Sequence, residues 1–299
     1  VVWLPPFICC RPPHQPRLVG AAFARAMADN GNDKSPIRVL YMHGMNSGPG
    51  SHKPTVLARH FATVYTPAMH LSEQARAARV QLALAWLLCV LSSFVLSRRL
   101  RRLGRWGRVA VSLLAGSVCA AFGYLPMKHR TVRNMLAGGV KEQKRAIGTF
   151  QPQVVVASSF GGAIALECIR KGLWRGPTVL LAPATSLVAR GMGPKGDLFA
   201  QRLATMRIDD MPDYCRLHLV HGMADETVPV SDTLELAASL SGDTLPEVKI
   251  GETDLSDGQG RLLLTLSEAD GHELVTATRN TLPGVIRRLS APSTSGDPR

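Results

Sequence analysis

Acidic residues are missing from one long part of this sequence. Between Gln74 and Lys141 there is no Asp or Glu, while twelve Lys and Arg fall there; the chain as a whole carries +13, so the remainder is close to neutral. A nucleic-acid enzyme spreads its basic residues over a groove. Here they flank the two most apolar stretches, which excludes nucleic acid as the expected partner and points to an acidic membrane surface. Cysteine is also sparse. Cys9 and Cys10 are adjacent, the other four are far apart, and no C-x-x-C spacing occurs. That excludes a disulfide framework and a zinc site, so reduced thiols and no metal are expected. No apolar run near the start has the length of a signal peptide. What remains is a 299-residue chain, 45% apolar, with enough core-forming material for one large domain or two small ones.

From Ile37 the chain alternates short β-rich runs with helical stretches, the pattern of an α/β fold with a mostly parallel sheet. Strands are expected at 37–42, 63–67, 153–157, 178–182, 216–221 and 261–266, and helices at 51–62, 132–148, 161–174, 230–240 and 272–282. The first 36 residues hold five prolines before Leu18 and no acid before Asp29, and they cannot build a fold. Two readings of them stay open: a segment ahead of a true start at Met27, or a basic, acid-poor transit peptide. The expected organisation is an extension at 1–36, an α/β domain at 37–71 and 132–290, an inserted hairpin at 72–131, and a tail at 291–299.

Four signals carry chemistry. The strand QVVVA runs into Ser158, Ser159, Phe160, Gly161 and Gly162 and then a helix. A serine at the apex of such a strand–turn–helix is forced toward positive φ, so the residues two before and two after it must be tiny. They are Ala157 and Gly161, with Gly162 letting the helix pack close behind. Next, HGMADETVP follows an apolar strand and offers Asp225 as a carboxylate at a strand end, on the edge where α/β sites gather. Asp232 reads instead as the start of the next helix. Third, EADGHELV places His272 after the last strand, at the start of the final helix. Fourth, YMHGMNSGPGSHKP follows the first strand, and its Gly44 loop can supply the Met45 N–H to an oxyanion hole, with the Phe160 N–H as the second donor. Each signal alone has a plainer reading as a turn or a cap. Their order, serine then acid then histidine, is what makes them one constellation.

Over residues 37–290 the sequence resembles the α/β-hydrolase superfamily. YMHGMNSGPGSHK with ASSFGG is similar to small bacterial-type serine esterases having a Tyr-Leu-His-Gly-Phe-x-Ser start and a Ser-Ser-Leu-Gly-Gly elbow. The resemblance implies an α/β-hydrolase fold and an ester hydrolase with Ser159 as nucleophile, Asp225 as acid and His272 as base, needing no cofactor. Thioesterase or acyltransferase chemistry on the same triad, or an inactive membrane adaptor, are the alternatives. Two departures stand out: Ala157 replaces the first elbow glycine, and residues 72–131 have no counterpart in the compact esterases.

Within that insertion, residues 80–96 and 109–127 form uncharged runs of 17 and 19 residues around an arginine-rich turn. As helices they would be roughly 26 and 28 Å long, just short of a ~30 Å hydrocarbon core. A two-span hairpin, a hairpin dipping into one leaflet, and a packed helical cap are all topologically allowed. Residues 82–91 have no polar face, which disfavours the cap. A membrane-associated, intracellular location and a small-molecule or lipid ester substrate are therefore expected.

Overall fold

The computed structural model describes residues 35–291 except Asn46, 98–103, 243–249 and Asp257. The expectations for the N-terminal extension up to residue 34, the arginine-rich turn at 98–103 and the tail beyond 291 fall outside these residues.

Seven strands form one sheet: β1 (Ser35–Met42), β2 (Phe61–Tyr65), β3 (Val154–Ser158), β4 (Thr178–Leu181), β5 (Leu217–Gly222), β6 (Gly251–Asp254) and β7 (Leu262–Ser267). Their spatial order is β2-β1-β3-β4-β5-β7-β6, parallel throughout except for the antiparallel pair β6–β7. The inner strands are buried over their whole length, as the unbroken apolar runs VVVAS, TVLL and LHLVHG require of a sheet covered on both faces. Alternate side chains feed two cores: Leu40 and Met42 join one, Val39 and Tyr41 the other. This is an α/β-hydrolase fold with two added apolar helices.

The helices are α1 (His52–His60), α2 (Leu71–Ser97), α3 (Arg105–Phe150), α4 (Phe160–Arg170), α5 (Thr185–Met192), α6 (Pro194–Ala204), α7 (Val230–Ser241) and α8 (Leu282–Ser290). α1 and α8 cover one face through Leu57, Val285 and Ile286. The other face takes α4, α7 and the C-terminal half of α3 through Met135, Leu136 and Val140.

Three differences from the sequence expectation have physical causes. Strand β6, sequence GETD, lies at the edge and alternates between half-buried and exposed positions, so it lacks an apolar run to betray it. The helix expected at 132–148 is the end of the 46-residue α3, which passes through Pro126 and crosses the boundary drawn at 131/132. The last helix was expected from His272. Instead His272 and Glu273 lie in a turn, and a π-helical segment, Ala277–Thr281, runs into α8. Pro283 near the start of α8 has no N–H to give the preceding turn, and the wider π register absorbs that loss.

At 1.5 Å per residue α2 is about 40 Å long and α3 about 69 Å. α2 leaves from the C-terminal end of β2, and the two helices pack along each other. Their contact is close: a Cβ at Gly116 would meet Val90 Cγ2 at 2.3 Å. Outward-facing Leu84, Leu88, Leu91, Leu114, Phe122 and Leu125 are exposed, Phe122 by 80%. Both helices are long and apolar enough to cross a bilayer.

His218 on β5 is fully buried and meets Thr265 Oγ1 at 2.7 Å, with Glu252 and Arg288 beyond it. Burial, with some repulsion from Arg288, pushes its pKa down to about 4. The unfolded chain then binds one proton more than the folded chain at pH values between about 4 and 6.5. The stabilisation from neutral His218 is complete above pH 6.5 and lost as pH falls toward 4. His218→Gln should flatten the pH dependence of stability in that window by up to about 1.4 kcal/mol per pH unit. Denaturant titrations in mild detergent across pH 4–7 check it, and an unchanged slope would refute it.

Candidate active site

Ser159 sits between β3 and α4 with φ 55° and ψ −119°, the left-handed backbone expected of the turn apex. The turn is held by backbone bonds: Ser159 N–H donates to Leu181 O at 2.9 Å, and Ser159 O accepts from Gly162 at 2.9 Å and Ala184 at 3.1 Å. Gly161 has no alternative here, since a Cβ on it would lie 2.2 Å from Met42 O and 2.8 Å from His43 O. Its neighbour Gly162 is pressed on Pro183, where a Cβ would meet that ring at 2.8 Å. Strand β3 thereby delivers a strained serine at the sheet's C-terminal edge, and the strain is tolerated because neighbours on both sides hold the turn.

Asp225 follows β5 on the same edge, its side chain fully buried. Oδ1 accepts the Thr227 and Val228 amides at 2.8 and 2.9 Å, which leaves Oδ2 for the Nδ1–H of His272 at 2.7 Å. Burial opposes ionisation of this carboxyl, but the His272 bond, the two amides and the charge of the imidazole outweigh it and hold its pKa below the ordinary range. With Nδ1 donating, Nε2 of His272 keeps its lone pair. His221, close to Asp225 in space and sequence, is otherwise engaged: it bonds Thr233 Oγ1 at 2.6 Å and Val228 O at 3.0 Å, and burial, partly offset by Val228 and Asp225, lowers its pKa.

Ser159 and His272 line one cavity of about 550 Å³, together with Gly44, Met45, Phe160, Lys53 and, from α3, Val132. The Gly44 loop lies against the serine, close enough that a Cβ on Gly44 would stand 3.2 Å from Ser159 Cβ. His43 locks that loop, donating from Nδ1 to Gly44 O at 2.7 Å and accepting the Met69 N–H on Nε2 at 3.3 Å. Phe160 opens α4, so its amide has no partner four residues earlier in the helix. All eight residues singled out in the sequence thus gather at one edge: Ser159, Asp225 and His272, the oxyanion-hole candidates Met45 and Phe160, and glycines Gly44, Gly161 and Gly162. Asp232 is in the first turn of α7, as expected.

Two supports were not anticipated. Lys53, inside the quoted SHKP segment, is nearly buried, and its ammonium reaches His272 O at 3.3 Å and Glu273 Oε2 at 3.5 Å. Desolvation lowers its pKa, against the opposing pull of Glu273. Asp270 accepts Ser267 Oγ at 2.8 Å and the Thr276 and Ala277 amides at 2.9 and 2.8 Å, which ties both ends of the histidine turn. EADGHELV contains this aspartate two residues before the histidine, but nothing in its local pattern distinguishes a loop clamp from a solvated turn. Among the described residues no cluster of His, Cys, Asp and Glu is arranged to hold a metal ion, and Cys168 and Cys215 are buried free thiols.

No family model and no curated protein matches the sequence. Among solved structures, the chain is similar to TT1662 from Thermus thermophilus at 13% identity and a TM-score of 0.48, over 87% of this chain and 91% of that one. It is also similar to an α/β-superfamily protein from Xanthomonas campestris, at 20% identity and a TM-score of 0.41 over 86% and 96% of the two chains. A third is α/β-hydrolase domain-containing protein 10 from mouse, at 11% identity and a TM-score of 0.45 over 86% and 90%. At these values the likenesses bear on neither substrate nor mechanism, which rest on the geometry of the site itself.

Proposed function

We propose that this chain is a membrane-associated serine hydrolase of carboxylic esters. The observation that carries the reading is the 2.7 Å bond from His272 Nδ1 to the buried Asp225 carboxylate, made beside a cavity that His272 shares with the elbow serine. In the reaction His272 Nε2 takes the Ser159 proton while Oγ bonds the acyl carbon. The carbonyl oxygen becomes an oxyanion facing the Met45 and Phe160 amides. Collapse breaks the ester bond, and the alcohol leaves with the proton from His272. Water, deprotonated by the same imidazole, then attacks the acyl-serine and releases the acid and the free serine. Asp225 holds the imidazole in the tautomer with the proton on Nδ1 and stabilises its charged form. Lys53 and Asp270 hold the turn on which His272 rides.

A fluorophosphonate probe tests the nucleophile. Labelling of the wild type that disappears in Ser159→Ala supports the reading, and labelling that persists in the variant, or none in either protein, contradicts it.

The exposed apolar faces of α2 and α3 and their flanking basic residues support the membrane part. Replacing residues 78–130 by a short Gly-Ser linker should release the protein into the soluble fraction and leave the triad intact, since the cut ends lie on neighbouring antiparallel helices. Fractionation of cell lysates without detergent measures this. Retention of the shortened chain in membranes, or a full chain that is freely soluble, would return the insertion to a packed cap.

A further inference from the structure

The register of α2 on α3 follows from two contacts. A Cβ at Gly116 would meet Val90, and one at Gly138 would meet Gln74 Nε2 at 3.7 Å. Between those levels, the turn of α3 with Lys128 and Arg130 stands beside the turn of α2 with Arg76 and Arg79, and all four residues are exposed. They form a basic collar around the helix pair. On one side of the collar lie the exposed apolar faces that begin with Val80 on α2 and Leu125 on α3. On the other lies Val132, a wall residue of the cavity that holds Ser159. Val132 is four residues from Lys128, on the same face of α3 and roughly 6 Å along its axis. α3 is seated firmly at this level: Val132 packs where a Cβ on Gly191 would meet it at 3.1 Å, and Arg133 reaches Met192 O at 3.4 Å. Met45 and Leu187, both more than a third exposed, add apolar surface to the same cavity.

We infer that the Ser159 cavity takes carboxylic esters of anionic membrane lipids, with the collar of Lys128, Arg130, Arg76 and Arg79 holding the headgroup. The inference rests on the serine-hydrolase reading and names its substrate class. In a bilayer the ester carbonyls of a glycerolipid lie between the phosphates and the chains. A helix pair inserted up to its basic collar brings the cavity to within about one helical turn of that boundary on its aqueous side, so a lipid raised by that distance presents its ester to Ser159, and α3 runs unbroken from the inserted part to the cavity wall. The acid of the hairpin, Glu73, lies one turn below Arg76 and pairs with His70 at 3.1 Å, and no other acid follows before Lys141 to compete for the lipid phosphate. A cavity of about 550 Å³ is of a size to take the reacting part of such a molecule.

The test uses the full chain reconstituted into phosphatidylcholine vesicles that contain either labelled phosphatidylglycerol or labelled phosphatidylcholine as reporter, with a short-chain p-nitrophenyl ester as soluble reporter. The wild type should cleave phosphatidylglycerol faster than phosphatidylcholine by about tenfold, and added salt should erode that preference. Lys128→Glu combined with Arg130→Glu should bring the ratio of the two lipid rates close to one, and Lys128→Gln with Arg130→Gln should give an intermediate ratio. A ratio is insensitive to the fraction of folded protein. Equal wild-type rates on the two lipids, or a ratio that neither variant moves, overturns the inference. Cleavage of only the soluble ester, lost in Ser159→Ala, also overturns it while leaving the serine-hydrolase reading in place. No cleavage of any ester, or cleavage that survives Ser159→Ala, removes both.

Discussion

Ser159→Ala should lower the hydrolysis of p-nitrophenyl esters by about 10⁴-fold or more and leave the fold unchanged. In the proposed mechanism the hydroxyl is the attacking group, and no other side chain at the elbow replaces it at that angle to the Gly44 loop. Its removal opens little space, because Ser159 is only half-buried and the turn is held by backbone bonds from Leu181, Gly162 and Ala184. Ser158 is the control. It is buried at the end of β3, so Ser158→Ala should act on packing and spare most of the rate. Steady-state kinetics with circular dichroism on both variants decides it. Loss of activity in Ser158→Ala with retention in Ser159→Ala would show the nucleophile to be misassigned by one residue.

His272→Ala should cost about 10⁴-fold in kcat and Asp225→Asn nearly as much, with the double variant scarcely worse than either. The non-additivity follows from the geometry. In the proposed mechanism Asp225 acts only through its bond to His272 Nδ1, so once the imidazole is gone its carboxylate has no route to the reaction. Asparagine at 225 could turn its NH₂ toward Nδ1, which would favour the tautomer with the proton on Nε2 and block the base. The same substitution leaves the Thr227 and Val228 amides without an ionised acceptor, so some loss of stability accompanies the loss of rate. Losses that multiply in the double variant would separate the two residues functionally.

The inner strands and the elbow were legible because each is specified locally. A run such as VVVAS can only be a strand buried on both faces, and Ser-Phe-Gly-Gly after it leaves few options for the turn. The meeting of Asp225 and His272 was legible through their order along the chain and their places after apolar strands. What escaped is specified by contacts distant in sequence. Lys53 meets the histidine turn 219 residues further on, and β6 exists because β7 offers it an edge. α5 and α6 have few strongly apolar positions; α5 takes its place from packing on α3, and α6 from packing on α5 and α7. The continuity of α3 through Pro126 was hidden for a different reason. Proline reads as a helix boundary in sequence, yet here a helix neighbour along one side and the packed half beyond Val132 carry the helix past it.

The central claim, that Ser159 becomes acylated by an ester and is freed by water, is tested most directly by trapping the intermediate. The enzyme is mixed with a p-nitrophenyl ester, quenched in acid during turnover and digested with trypsin, which releases residues 146–170 as one peptide. A mass increase equal to the acyl group, assigned by fragmentation to Ser159 rather than Ser158, and accumulating as p-nitrophenol is released in a burst, is the expected result. Turnover with this peptide unmodified, or with the acyl group on another residue, would contradict it.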